Sequence, residues 1–209
     1  FRRYDSARRR AFGVTRARPM EASQQVLSRH CPCDGAAMGG FYKTMIVKLS
    51  RQEESRCKQA SRMRWQMNRA SGIEQQRKAP QDVGDIDLLG IRAECAVAKA
   101  LDLDFNPYHL GIDSGADLFA GDISIDVKAR FSGSNTLFGK PEKFRADVVV
   151  SCEQANDGIG ILGWASKQRF LERAQVRDLG HGKVMALPDS ELTDISVLWR
   201  EITARRVND

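Results

Sequence analysis

Apolar and polar residues alternate with a period of two from Ile123 to Lys128. Ile123, Ile125 and Val127 interleave there with Ser124, Asp126 and Lys128. With Ala120-Gly121-Asp122 supplying turn chemistry, the stretch ADLFAGDISIDVK (116–128) predicts a β-hairpin. Asp126 and Lys128 then share one face, with the apolar residues on the other. A turn at 120–122 sets Asp117, at the start of the incoming strand, across from the Asp126–Lys128 end. Two carboxylates and an ammonium converge on one patch of a mostly apolar sheet. Buried charge is costly unless it is paired or holds a metal, so the patch is a candidate site.

Upstream, the pattern changes to a helical period. Residues 86–101, IDLLGIRAECAVAKAL, gather Ile86, Leu89, Ala93, Val97, Ala100 and Leu101 on one stripe, with Arg92 and Lys99 opposite. Glu94 falls towards the apolar side, beside Val97, Ala98 and Leu101. It is either a half-exposed flank residue or a carboxylate aimed inward. Residues 50–70 read as another helix, with Ser50 as N-cap and Glu53 completing a capping box. MIVK, from Met45, predicts a short strand before it, and 72–84 is a polar linker. A short extended piece is expected at 105–110, kept to an edge by Pro107.

Beyond Lys128, RFSGSNTLFGKPEK reads as a loop. ADVVVSC (146–152) is a central buried strand, and a turn at 156–158 returns the chain into a strand at 159–164. Gly158, Gly160 and Gly163 spell GxGxxG. Residues 153–157 separate the preceding strand from the first glycine, and Ile159, Ile161 and Leu162 look like strand side chains, so no dinucleotide site is expected. A helix capped by Ser166 should run to about Arg177. A turn at His181-Gly182 then leads into KVMALP, and the chain closes on a short apolar segment ending in charges.

Charge divides the chain. Its +6 is the sum of +6 over residues 1–44, +6 over 45–79 and −6 over 80–209. The candidate site therefore lies in an acidic half, and local positive charge must come from 45–79 or from loops. Residues 1–44 are arginine-heavy without sustained periodicity, and read as a disordered arm or an upstream extension. His30-Cys31-Pro32-Cys33 has no second pair at zinc-site spacing. The five cysteines form no disulfide framework, and Cys95 and Cys152 sit in apolar segments as small core residues. No run approaches a membrane span and no secretory signal is visible, so a cytoplasmic location is expected.

A helix Glu, a strand-initial Asp, a short hairpin and Asp-x-Lys on the next strand together resemble the PD-(D/E)xK nuclease superfamily. Here the pattern is Glu94, Asp117 and Asp126-Val127-Lys128, over about residues 85–164, with Ala116 where many members place proline. The resemblance implies an α/β, restriction-endonuclease-like core: a small mixed sheet of four or five strands flanked by helices, preceded by the basic helix and linker of 45–84. It implies a Mg²⁺-dependent deoxyribonuclease, bacterial or phage-encoded, in which Mn²⁺ substitutes. Asp117, Asp126 and the Val127 carbonyl would hold the ion, Glu94 would orient water or hold a second ion, and Lys128 would stabilise the transition state. DNA is the implied partner, with no membrane and with homodimerisation left open. Arg130, Lys140 and Lys143 beside the hairpin, and Arg62 on the basic helix, are candidate phosphate contacts. Asp113 is an alternative acidic ligand to Asp117, and His109 reads as an edge or surface residue. The alternative reading is a catalytically silent nucleic-acid-binding or assembly module of the same fold.

Overall fold

The apolar run at 148–152 is buried on both of its faces, and the fold follows from how those two faces are covered. The structure, a computed structural model, describes residues 44–70, 83–108, 115–131, 136–139, 144–178 and 183–208. Within them, β1 (Met45–Val47), α1 (Arg51–Ala70), α2 (Val83–Leu101), β2 (Leu118–Ala120) and β3 (Ile123–Arg130) are followed by β4 (Thr136–Gly139), β5 (Val148–Ala155) and β6 (Gly158–Ser166). Then come α3 (Lys167–Arg173), β7 (Gln175–Asp178), β8 (Lys183–Pro188), a 3₁₀ turn at Asp189–Glu191 and α4 (Ile195–Asn208).

Five strands form a mixed sheet in the order β1-β6-β5-β3-β2. β3 and β5 run parallel and the other neighbours antiparallel. A parallel pair needs a crossover, and here the chain makes it through β4. That strand joins β8 and β7 in a separate three-stranded sheet. The expected loop after Lys128 is thus part strand: β3 continues to Arg130, and β4 pairs antiparallel with β8. The mixed α/β architecture with flanking helices is as expected; the second sheet is additional.

One face of the large sheet packs Val148, Val150 and Cys152 of β5 with Ile123, Ile125 and Val127 of β3. Leu89, Ala93, Val97 and Leu101 of α2 and Ile195, Leu198 and Ile202 of α4 cover them. The other face sets Val149 among Leu137, Phe144, Phe170 and Leu187, from the β4–β8 side and α3. Two-sided burial removes the need for alternation, which is why β5 reads as a continuous apolar run. Each such side chain contributes roughly 1.5–3 kcal/mol by leaving water.

The glycines of the GxGxxG string lie inside β6. A Cβ on Gly158 would meet the Val47 carbonyl oxygen at 2.3 Å, so this glycine lets β1 approach. Gly163 has φ +147° where β5 and β6 shift register, a backbone that other residues rarely adopt. Their role is strand packing.

α1 starts at the expected capping box: Ser50 N–H donates to Glu53 Oε2 at 2.6 Å, and Glu53 N–H donates to Ser50 Oγ at 3.2 Å. The helix packs on α2 through Cys57, Ala60, Ile91 and Cys95. Arg92 and Lys99, on the face of α2 opposite the sheet, meet Glu54 and Glu53 of α1 at 2.8 and 2.9 Å rather than solvent. Residues 103–108 are irregular where the expected extended piece begins, and its last two residues, 109–110, lie outside the described residues. Two other expectations are corrected. α3 stops at Arg173, because the chain turns extended at Ala174 to enter β7. The closing apolar segment is the helix α4.

Candidate active site

β3 supplies the centre of the site. Its period of two sends Ile125 and Val127 into the core beneath α2 and leaves Asp126 and Lys128 on the other side of the strand. Asp126 is nonetheless buried, at 8% exposure, while Lys128 reaches solvent. Lys128 Nζ donates to Asp126 Oδ1 at 2.5 Å. The pair joins a buried carboxylate to an ammonium that an incoming anion can reach.

Asp117 closes the mouth of the hairpin. The β2–β3 register matches Leu118 with Ile125, which sets Asp117 just beyond the last paired residue of β2. Its N–H donates to the Ile125 carbonyl at 2.8 Å, and its Oδ2 accepts from the Val127 N–H at 2.6 Å. Asp117 is an exposed residue, but its carboxyl turns inward onto the β3 backbone. Burial of that carboxyl pushes its pKa up to about 7. The negative charge of Glu94 adds to the rise and that of Asp126 adds less, while the Val127 N–H and Lys128 pull the other way.

Glu94, Asp126 and Lys128 thus all act electrostatically on Asp117. Glu94 comes from α2 and is 8% exposed. It also has a partner that sequence reasoning missed: Arg64 of α1, whose Nη1 lies 3.3 Å from Glu94 Oε1. A signal for Arg64 is present in the chain. Cys57, Ala60, Ser61 and Arg64 fall at i, i+3, i+4 and i+7, the spacing of one helix face, and the first three are buried. The arginine ends that stripe and therefore points along the α2 interface.

The four candidate phosphate contacts separate. Arg62 is exposed on α1 and makes no ion pair among the described residues. Arg130 is largely withdrawn: its Nη1 donates to the Thr136 carbonyl at 3.0 Å, and both guanidinium ends engage Asp189. It ties β3 to the small sheet and the 3₁₀ turn rather than facing solvent. Lys140 and Lys143 lie outside the described residues, as do Asp113, His109 and the segment 1–43.

The donor set suits a hard divalent cation, which takes carboxylate and carbonyl oxygens. The negative charges of Glu94 and Asp126 both act against ionisation of Asp117, and a bound cation would relieve that. The present arrangement draws Asp126 to Lys128 and Glu94 to Arg64. Among the described residues no group of three or more His, Cys, Asp or Glu is set at ion-holding separation. No helix among them is long and apolar enough to cross a membrane. Comparison with protein-family models, curated proteins and solved structures gives no match.

Proposed function

We propose that the chain hydrolyses DNA phosphodiester bonds in a reaction that depends on a divalent metal ion, Mg²⁺ or Mn²⁺. One observation supports this reading: the charges of Glu94, Asp126 and Lys128 all act on the buried carboxyl of Asp117, at the start of the hairpin. Asp117, Asp126 and the Val127 carbonyl would hold the ion, with Glu94 beside them. Bound there, the metal supplies Lewis-acid polarisation of the phosphate and a water of lowered pKa.

The chain's own groups do the rest. Lys128 Nζ, tethered by Asp126, presents positive charge to the phosphate oxygens as negative charge builds on them. Glu94, steadied by Arg64, accepts a hydrogen bond from the attacking water and orients it. Arg56, Lys58 and Arg62 leave the outer side of α1 positive, which suits a nucleic-acid backbone.

A second reading is a silent binding module. The ion pairs already made by Asp126 and Glu94 favour it, as do Met63, Trp65 and Met67 exposed beside Arg62. Supercoiled plasmid separates the two. Nicking or degradation with Mg²⁺ or Mn²⁺, abolished by EDTA and not restored by Ca²⁺, is expected. DNA binding with no cleavage in any metal selects the binding module, and cleavage that survives full chelation removes the metal from the mechanism.

A further inference from the structure

Cys57 and Cys95 face each other across the α1–α2 interface, away from the carboxylate cluster. Both are buried, at 1% and 7% exposure, in one small cluster with Ala60 and Ile91. One residue comes from each helix, so the two thiols sit on opposite sides of the same contact. The Cys57 thiol also lies 4.0 Å from the Ile91 carbonyl, one turn before Cys95 on α2. Burial of this kind ordinarily makes a thiol inert.

Here the pair is not sealed. Both cysteines border a cavity of about 210 Å³ that Glu53, Arg56, Lys99 and Phe105 also line. Its outer side is held by contacts between α1 and the segment after α2. Arg56 lies 5.9 Å from the Tyr108 ring centre, and the Tyr108 hydroxyl donates to Gln59 Oε1 at 2.8 Å. The cavity is far larger than a peroxide molecule and carries two cations. A small polar oxidant therefore has a route to two cysteines that share one buried cluster.

We propose that Cys57 and Cys95 are a redox-sensitive pair, oxidised by a peroxide to a disulfide that bolts α1 to α2. Cys95, the more exposed sulfur, attacks one peroxide oxygen as thiolate; the O–O bond breaks, hydroxide leaves, and a sulfenic acid forms. The Cys57 sulfur then attacks Cys95 sulfur; the S–O bond breaks and the oxygen departs as water. The two thiols lose two electrons and two protons, and hydrogen peroxide is reduced to two waters. Reduction by a dithiol reverses the link. The proposal concerns a site apart from the carboxylates and stands without the nuclease reading.

The test treats the full chain with stoichiometric hydrogen peroxide and reads intact mass, peptide mapping and melting temperature. A loss of about 2 Da is expected, with one cross-linked peptide pair containing Cys57 and Cys95. The melting temperature should rise by several degrees, because a closed loop of this length limits the unfolded chain, and dithiothreitol should restore the original value. Cys152, with no exposure, should stay reduced. In Cys57→Ser the link cannot close, so a sulfenic acid on Cys95 should accumulate and be captured by dimedone. Cys57 and Cys95 both still alkylated in the denatured, peroxide-treated protein would overturn the proposal. So would a link mapped only to Cys31 and Cys33, or no dimedone adduct on Cys95 in Cys57→Ser.

Discussion

Two charged spots lie on β3, at Asp126–Lys128 and two residues further on at Arg130, and they are built in opposite ways. Arg130 is closed. One carboxylate, Asp189, meets one guanidinium, the Thr136 carbonyl takes a further N–H, and both side chains are mostly covered. Asp126 instead pairs with Lys128, which reaches solvent, and Asp117 beside them is pushed up to about 7 by burial and by Glu94. In a matched pair each charge has a partner, and removing one partner alone is what costs stability. An excess of like charge raises the energy of the folded chain, and a bound cation at such a place would lower it again. The balance of charge within each group, not the presence of ions on a strand, separates a tie from a site.

The largest effect should come from breaking the open spot. Asp126→Asn keeps shape and hydrogen-bonding capacity but removes the charge; Lys128→Ala removes the cation and keeps the carboxylates. Each should cut DNA cleavage by ~10²–10³-fold, the cost of losing one preorganised charge contact. Melting temperatures should hardly move, and Asp126→Asn should match or exceed the parent without metal, since one source of repulsion is gone. DNA binding by Asp126→Asn should persist or strengthen. Cleavage that survives both changes, with earlier unfolding, would make Asp126–Lys128 a tie like Arg130–Asp189.

The parts of this contrast that could be read from the sequence are local. Period two along Ile123–Arg130 and the turn residues before it set Asp117 opposite Asp126, and the register confirms that placement. The Ser50–Glu53 capping box spans one turn and could be read directly. Arg64 required a tertiary fact, the packing of α1 on α2, although its i+7 place after Cys57 was visible. The small sheet was hidden for a different reason. Gln175–Asp178 is exposed throughout and shows no buried alternation, and Thr136–Gly139 sits within a stretch rich in glycine and serine. Both are strands because β8 pairs with each, and that pairing joins residues up to about fifty positions apart. α4 could have been read as a helix, since Ile195, Leu198 and Ile202 recur at i, i+3 and i+7. The Arg130–Asp189 pair was not legible, since Asp189 lies 59 residues away in sequence.

The closed spot sharpens the comparison from the other side. Asp189→Ala leaves Arg130 covered and without its carboxylate, and Arg130 Nε is already buried with no partner among the described residues. The expected cost is about 2 kcal/mol, for a charge left mostly desolvated. That corresponds to several degrees of melting temperature in a chain of this size. Cleavage per folded molecule should be unchanged. Equal stability in Asp189→Ala would deny that this pair ties the small sheet to β3, and lost cleavage at full stability would return Arg130 to the site.

The smallest effect is on pH, and it isolates the open spot without touching its chemistry. Asp117 has an ordinary value of 3.8 and a folded value of about 7, so the folded chain holds its proton more tightly than the unfolded chain does. Stability from this group is therefore full below about pH 4 and falls as pH rises through 7, where the folded carboxyl must ionise beside Glu94. Asp147 and Glu53 act with the opposite sign. Hydrogen bonds from Ser124 lower the first; in the second, bonds from Ser50 and Lys99 outweigh burial, so their contributions disappear only towards acid. Between pH 5 and 8 Asp117 dominates this set, and the metal-free protein should melt at a progressively lower temperature as pH rises. Asp117→Asn should flatten that slope, and saturating Ca²⁺ should do the same to the parent by favouring the ionised carboxylate. Solvent reaches Asp117, so the slope should be shallow, a few degrees across the interval. Identical melting curves for Asp117→Asn and the parent at every pH would show that Asp117 bears no excess of like charge. The contrast between the two spots on β3 would then rest on Lys128 alone.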